Sequence, residues 1–73
     1  MQRYFFHVND GQESLDEEGV ELADDDEART QAVIAAGEAL RDTGRKFWNH
    51  AEWQMVVTDL TGARVCTLKF NAE

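Results

Sequence analysis

Residues 24–43 carry the one clear helical pattern in this 73-residue chain, which limits how the remaining residues can be covered. Small apolar side chains recur there at helical spacing and share one side of the helix. They are Ala28, Ala32, Ala35, Ala36, Ala39 and Leu40, with Val33 at the margin. A single helix covers one face of a small sheet. The opposite face must therefore be exposed or meet a partner.

Both ends of this helix carry capping signals. Asp24 suits the N-cap, and Glu27 three residues later completes a capping-box pattern. Acidic residues in the first turn favour the positive end of the helix dipole. Gly44 suits the position just beyond the last turn. The predicted helix spans 25–43.

The first predicted strand, 2–8, has bulky side chains on both faces. Alternation puts Tyr4, Phe6 and Val8 on one face and Phe5 and His7 on the other. The alanine stripe leaves room for large side chains, so we expect the Tyr4 set to pack under the helix. Phe5 and His7 are then left without a cover inside the chain.

Three further segments have strand patterns. Residues 19–22 predict a short, acidic edge strand, and 53–58 with 63–70 predict a hairpin that turns at Asp59-Leu60-Thr61-Gly62. A four-residue loop would pair Met55 with Cys66. We favour that register because both apolar sets of the hairpin then lie on one face.

These elements predict an α+β fold in a single domain, 1–73, with the order β-β-α-β-β. The sheet is expected to be small and mainly antiparallel, with one helix packed on one face. Two strand orders remain open, because the first strand can lie beside either strand of the hairpin.

The composition restricts the partners. Fifteen acidic and seven basic residues give a net charge of −8, which disfavours nucleic acid and anionic lipid. The single cysteine excludes an intrachain disulfide and suits a reducing compartment. The sequence has no apolar run of signal-peptide or membrane-span type. We expect a cytoplasmic protein whose small core is supplemented by self-association.

The opening Arg3-Tyr4-Phe5-Phe6-His7-Val8 with Asp10-Gly11, the segment from Asp16 to Leu22 and the Val57-Thr58-Asp59-x-x-Gly62 hairpin resemble a family. Its members are small, uncharacterised bacterial proteins, mainly alphaproteobacterial, that form a domain of unknown function. The resemblance spans nearly the whole chain and implies no catalytic residue. Ala23 and Lys69 stand where family members often have proline. Residues 19–40 are more loosely similar to small HicB-type antitoxins, which suggests a partner-binding module.

An acidic segment is the most conspicuous charged feature. Nine carboxylates and no basic residue lie between Glu13 and Glu27. Their spacing does not fit a calcium loop. They are interpreted mainly as a solvated loop and helix start, and secondarily as an acidic surface for a basic partner: Glu13, Asp16, Glu17, Glu18 and Glu21.

Other candidate sites are weak. His7, His50 and Cys66 could each bind zinc, but no two of them have the close spacing typical of a zinc site. Cys66 is interpreted as a small buried apolar residue. One of the aromatic residues Phe47, Trp48 and Trp53 is expected to close the end of the core. We therefore predict no catalytic residue, no metal and no cofactor.

The predicted function is a non-enzymatic protein-interaction or dimerisation module that uses the uncovered sheet face. Phe5 and His7 are the predicted contact residues, with Ile34 third, because it lies opposite the alanine stripe. The partner is expected to be a second copy or another protein. The alternative is a small acidic regulator, antitoxin-like or charge-mimicking, that acts through residues 13–27.

Overall fold

A computed structural model describes residues 1–49 and 51–73 and places one helix against an antiparallel sheet. In chain order the elements are β1 (Gln2–Asn9), β2 (Glu13–Ser14), β3 (Val20–Leu22), α1 (Asp25–Phe47), β4 (Glu52–Asp59) and β5 (Arg64–Asn71). The predicted α+β class with one helix is confirmed. The two-residue β2 was not predicted.

The strand order is β2-β1-β4-β5, and β3 also pairs with β1. The first strand therefore lies beside the first strand of the hairpin, which decides between the two open orders. Phe5 pairs with Thr58, and His7 pairs with Val56. On its other side β1 meets β3 through Tyr4 and Val20, and β2 through Val8 and Ser14.

The predicted register of the hairpin is wrong by two residues. Asp59 and Ala63 close a three-residue loop, in which Asp59 N–H donates to the Ala63 carbonyl at 2.9 Å. Gly62 has φ of 88°, a conformation that favours glycine. A bulge then leaves Val65 unpaired, since Thr58 pairs with Arg64 but Val57 pairs with Cys66. The two apolar sets still share a face, because the total shift is even.

Large residues of the sheet and small residues of the helix form the core. Tyr4 and Val57 are fully buried, as are Ala28 and Ala32 of α1. Trp53 and Met55 lie beside them. The small helix residues allow α1 to lie close to the sheet, so the bulk of the core comes from β1 and β4, as the alanine stripe predicts.

The helix continues past the predicted end at residue 43. Gly44 lies inside it, and the last residue, Phe47, is buried against Phe70 with ring centroids 5.5 Å apart. Burying a phenylalanine contributes about 2 kcal/mol, which outweighs the cost of about 1 kcal/mol for a glycine in a helix. Trp48 follows as the C-cap and is mostly exposed. At the other end, the Asp24 carboxylate accepts the Glu27 N–H at 2.9 Å, which confirms the N-cap.

Candidate functional site

The face of the sheet opposite α1 is the surface where the sequence places its contact residues. We call it the outer face; its central residues are Phe5, His7, Val56, Thr58 and Thr67. All five are half-buried. The outer face is thus a sheet surface of mixed apolar and polar character.

The expectation that nothing in the chain covers Phe5 and His7 is wrong. The two rings stack on each other, with centroids 6.4 Å apart and planes 7° from parallel. Gly19 lies so close to Phe5 that an added Cβ would be 2.9 Å from its ring. The loop between β2 and β3 therefore covers part of the outer face along β1. Sequence alternation could not reveal this contact.

Both ring nitrogens of His7 are engaged within the chain. Nδ1 accepts the backbone N–H of Asp16 at 3.0 Å, so it carries no proton in this arrangement. Nε2 lies 3.1 Å from the hydroxyl oxygen of Thr58 and is left to donate to it. These bonds fix the tautomer and the ring orientation. A metal ion or a transferred proton would have to displace one of them.

Asp16 accepts three backbone hydrogen bonds with one carboxylate. Its oxygens accept the N–H groups of Gly19 at 3.0 Å and of Phe6 and Glu18 at 3.1 Å each. Partial burial acts to raise the pKa of this carboxyl, but the backbone donors Gly19, Phe6 and Glu18 outweigh it and hold the pKa below its ordinary value. We call these groups, together with His7, the Asp16 network.

The Asp16 network completes one edge of the sheet. β2 and β3 pair with the two ends of β1, and the Phe6 N–H lies between them, where neither strand supplies a partner. The Asp16 carboxylate takes that place. Arg3 fastens the same segment, because its guanidinium donates to the Glu18 carbonyl at 2.6 Å. We call this side of β1 the closed edge.

These contacts separate the acidic segment into exposed glutamates and one carboxylate, Asp16, that is used within the chain. Glu13, Glu17 and Glu18 have exposed side chains on the closed edge. Glu21 is also exposed and lies 3.4 Å from Arg3. Asp16 does not belong with them, because its carboxylate is occupied by backbone donors. The available acidic surface is therefore smaller than the sequence suggests.

The structure does not bring Ile34 together with Phe5 and His7. Ile34 is 49% exposed on α1, and α1 lies on the opposite side of the sheet. A single contact patch of these three residues is excluded.

An apolar groove between α1 and β5 was missed by the sequence analysis. It has a volume of about 350 Å³ and is lined chiefly by Val33, Gly37, Leu40, Leu68 and Phe70. Val33 is 62% exposed and Phe70 is 50% exposed. The sequence pattern does indicate one wall of the groove, because Val33 lies at the margin of the alanine stripe. The other wall could not be predicted, because the open strand order left the position of β5 at the end of the sheet undecided.

The side of β5 that faces away from β4 has no strand beside it within the described residues. We call it the open edge. It is eight residues long, Arg64–Asn71, and carries two cations and no carboxylate. On the outer face beside it, the Thr67 hydroxyl oxygen is buried without a hydrogen-bond partner in the described part of the chain.

An open cleft of about 760 Å³ lies where the turn after β1 approaches the end of α1. Asp10, Asp42, Lys46 and Glu52 supply its charged groups. Carboxylates and an amine can bind polar ligands. Its described lining residues include no serine, cysteine or histidine, so they offer no nucleophile–base pair of the usual kind.

The remaining sequence candidates do not converge. Among residues 1–49 and 51–73, no three His, Cys, Asp or Glu side chains are grouped so that they could hold a metal ion. His50 lies outside the described residues. Burial raises the pKa of the Cys66 thiol, while Arg29 acts to lower it, so the reactive thiolate is disfavoured. Across the same two ranges, no helix is both long enough and apolar enough to cross a membrane.

The chain was compared with curated proteins, with solved structures and with protein families. No curated protein and no solved structure matches this chain significantly. One family matches residues 3–71, a range that contains the closed edge, the outer face and the hairpin. The segments that carry the resemblance, Arg3 to Val8 and Asp16 to Leu22, are the ones that contact each other in the closed edge. The chain belongs to this family, described as Domain of unknown function (DUF6894).

Proposed function

We propose that this protein is a non-enzymatic interaction module whose outer face is covered by another protein in its working state. The observation that carries the proposal is the one-sided packing of the sheet: α1 packs on the face of Tyr4, Met55 and Val57. Among the described residues, the loop at Gly19 approaches the outer face along its β1 side.

The character of the outer face supports a protein partner. Val56 lies at its centre, between His7 and Thr67, and is half-buried. This sheet surface mixes an aromatic pair, a valine and threonines, and its central residues Phe5, His7, Val56 and Thr58 line none of the pockets described above, whereas small-molecule sites are concave.

Two observations favour a non-catalytic role. The His7 ring nitrogens are used in contacts that hold the loop, which is a structural task. The Cys66 thiol is half-buried, and burial raises its pKa. Neither group is prepared for proton transfer or nucleophilic attack.

Cross-linking inside cells tests the proposal. A photoactivatable side chain at Val56 should yield one cross-linked product of defined mass, because Val56 lies at the centre of the contact. The same group at Gln31, an exposed position on α1, is the matched control. Val56→Glu combined with a cross-linker at Thr58 should abolish the product. Equal cross-linking from Val56 and Gln31, or none from either, would overturn the proposal.

A second candidate is an acidic regulator that binds a basic partner through the closed edge. Exposed Glu13, Glu17 and Glu18 favour it. Binding through these carboxylates would weaken steeply as salt rises, whereas contact through the outer face would change little. Triple substitution of these glutamates by glutamine should abolish such binding and leave the Val56 cross-link intact.

The net charge of −8 supports the view that neither nucleic acid nor an anionic membrane is the partner. The opening motif supports a bacterial origin, and the single cysteine supports a cytoplasmic location. Fractionation of cells of the source organism tests the location: recovery in the membrane or secreted fraction would contradict it.

A further inference from the structure

We propose that two copies of this chain pair through the open edge, with β5 of one copy antiparallel to β5 of the other. A two-fold axis passes beside Leu68 and joins the two sheets into one. The proposal does not depend on the outer-face proposal, because it uses a different surface. Its occupant is a second copy, and three features of the open edge argue for that choice.

The first feature is the length of the free edge within the described residues. Natural edge strands are shielded by proline, short length, charged side chains or bulges. β5 has Lys69 on the strand and a bulge only at one end, at Val65. β5 is eight residues long, about 26 Å at the usual strand rise, and contains no proline. Beyond the bulge at Val65, it pairs regularly as far as Asn71. A second copy supplies a strand of the same length and twist.

The second feature is the distribution of charge. Two chains of net charge −8 repel each other, and the repulsion is weakest where they meet through a surface with few carboxylates. The groove residues described next to β5 include Lys69 and no carboxylate. The acidic segment lies on the closed edge, on the far side of β1 and β4. Pairing through β5 therefore keeps the two acidic edges at opposite ends of the dimer.

The third feature is self-complementarity in one register. With Leu68 opposite its own copy, Cys66 lies opposite Phe70, so apolar residues meet along the helix-side face. Phe70 of each copy then lies near Val33 of the other and covers both exposed side chains.

The same register also arranges the polar residues. On the outer face, Lys69 of one copy lies opposite Thr67 of the other, so a cation meets an uncharged side chain. Arg64 lies opposite Ala72, so like charges do not face each other. A register shifted by one position on each strand would instead place Phe70 opposite Arg64.

Molecular mass in solution tests the proposal. Sedimentation of the wild-type chain should give twice the monomer mass of 8.3 kDa at high concentration, with reversible dissociation on dilution. Val33→Glu should raise the dissociation constant about tenfold or more. Ile34→Glu is the matched control, because it makes the same change at the next exposed helix position and should leave the constant unaltered.

A disulfide tests the register. In a Cys66→Ser background, Leu68→Cys should form a linked dimer under mild oxidation, since the two side chains face each other at the axis. The wild-type Cys66 should not link, because it lies opposite Phe70. Circular dichroism confirms that each variant is folded. A monomer at all concentrations, a dimer that Val33→Glu and Ile34→Glu weaken equally, or no link at Leu68→Cys would each overturn the proposal.

One further variant distinguishes failure of the open-edge proposal from failure of the outer-face proposal. Val56→Glu leaves the open edge intact and should leave the dimer mass unchanged. If instead Val56→Glu dissociates the dimer and Val33→Glu does not, the two copies meet through the outer face and the open-edge proposal is wrong.

Discussion

The two edges of the sheet differ in whether the chain itself supplies hydrogen-bond partners for their outward backbone groups. On the closed edge, two short strands and the Asp16 network satisfy the outward backbone groups of β1 from within the chain. On the open edge, β5 runs for eight residues with no strand beside it in the described residues. The closed edge is acidic, and the open edge is apolar with cations. The difference identifies which side of the molecule can accept another strand.

The comparison also gives a physical meaning to three residues of β1 and of the loop that approaches it. In the sequence, His7 is a predicted contact residue, Asp16 belongs to a predicted acidic surface, and Gly19 only begins a predicted edge strand. In the structure they hold one loop against β1: His7 accepts from Asp16, Asp16 accepts from Gly19, and Gly19 lies against Phe5. Their shared task is to complete an edge. Function should then be sought on the surfaces that remain.

The largest expected effect on the closed edge comes from Gly19→Ala. An added Cβ would lie 2.7 Å from the Tyr4 carbonyl oxygen, and the residue has φ of 72°. We expect a loss of about 3 kcal/mol in the free energy of unfolding, from backbone strain plus displacement of the loop. Urea denaturation measures it.

Gly62→Ala is the matched control for that substitution. It has a similar φ of 88°, but no atom within 4 Å of the added Cβ. Only the backbone strain remains, so the expected loss is about 1 kcal/mol. Equal losses at the two glycines would show that the close approach of Gly19 to β1 is unimportant.

Asp16→Ala should cost about 2 kcal/mol, because three backbone N–H groups lose a charged acceptor. Glu17→Ala, at an exposed neighbour, should change stability by less than about 0.5 kcal/mol.

The Asp16 network also predicts a pH dependence of stability. Since the folded pKa of Asp16 is lowered, its contribution is present above the ordinary aspartate value and is lost as pH falls through the folded pKa. Acid titration of Asp16→Asn should lack this component.

Tyr4 links the closed edge to the helix and gives a second pH effect. The pKa of Tyr4 is raised to about 12. Burial is the main cause, and the hydrogen bond that its hydroxyl donates to Asp25 at 2.7 Å is the second. It is the one tyrosine of the chain, so phenolate absorbance reports on it alone. Half-ionisation should occur near pH 12 in the folded protein and near pH 10 in denaturant.

The sign of the linked stability follows from these values. The folded state holds the Tyr4 proton more tightly, so its contribution is complete below pH 10 and is lost as pH rises from 10 to about 12. Asp25→Ala should lower the folded pKa only in part, because burial is the main cause. A folded pKa near 10 would contradict the buried position of Tyr4.

The smallest effect should come from Glu21→Gln. The ion pair with Arg3 spans 3.4 Å between exposed side chains, and such pairs contribute about 0.5 kcal/mol or less. Arg3→Ala should cost more than Glu21→Gln, because it also removes the bond to the Glu18 carbonyl. Urea midpoints of the two variants decide the order; a larger loss for Glu21→Gln would contradict the assigned role of Arg3.

Much of the fold followed from local patterns. The alanine stripe of α1, the Asp24 cap and the alternation of β1 depend on neighbours in sequence, and the structure has them. The helix end did not follow, because burial of Phe47 against Phe70 is a long-range contact that overrides Gly44. The hairpin register did not follow either, since the bulge at Val65 leaves no clear mark in the sequence.

The candidate site was less predictable than the fold. Alternation correctly separated Phe5 and His7 from the core side, but it could not show the loop that approaches them. The hydrogen bonds of the Asp16 network join residues up to 10 positions apart through backbone donors, which side-chain patterns do not encode. The open edge depended on the strand order, and that order is set by packing of the whole sheet.

Amide hydrogen exchange at increasing protein concentration tests the central claim most directly, because it observes both edges in one experiment. The amide of Phe6, bonded to Asp16, should be protected at every concentration. The outward amides of β5 should exchange rapidly in dilute protein and become protected as the concentration rises. Rapid exchange at Phe6, or β5 amides whose protection does not depend on concentration, would contradict the division into a closed and an open edge.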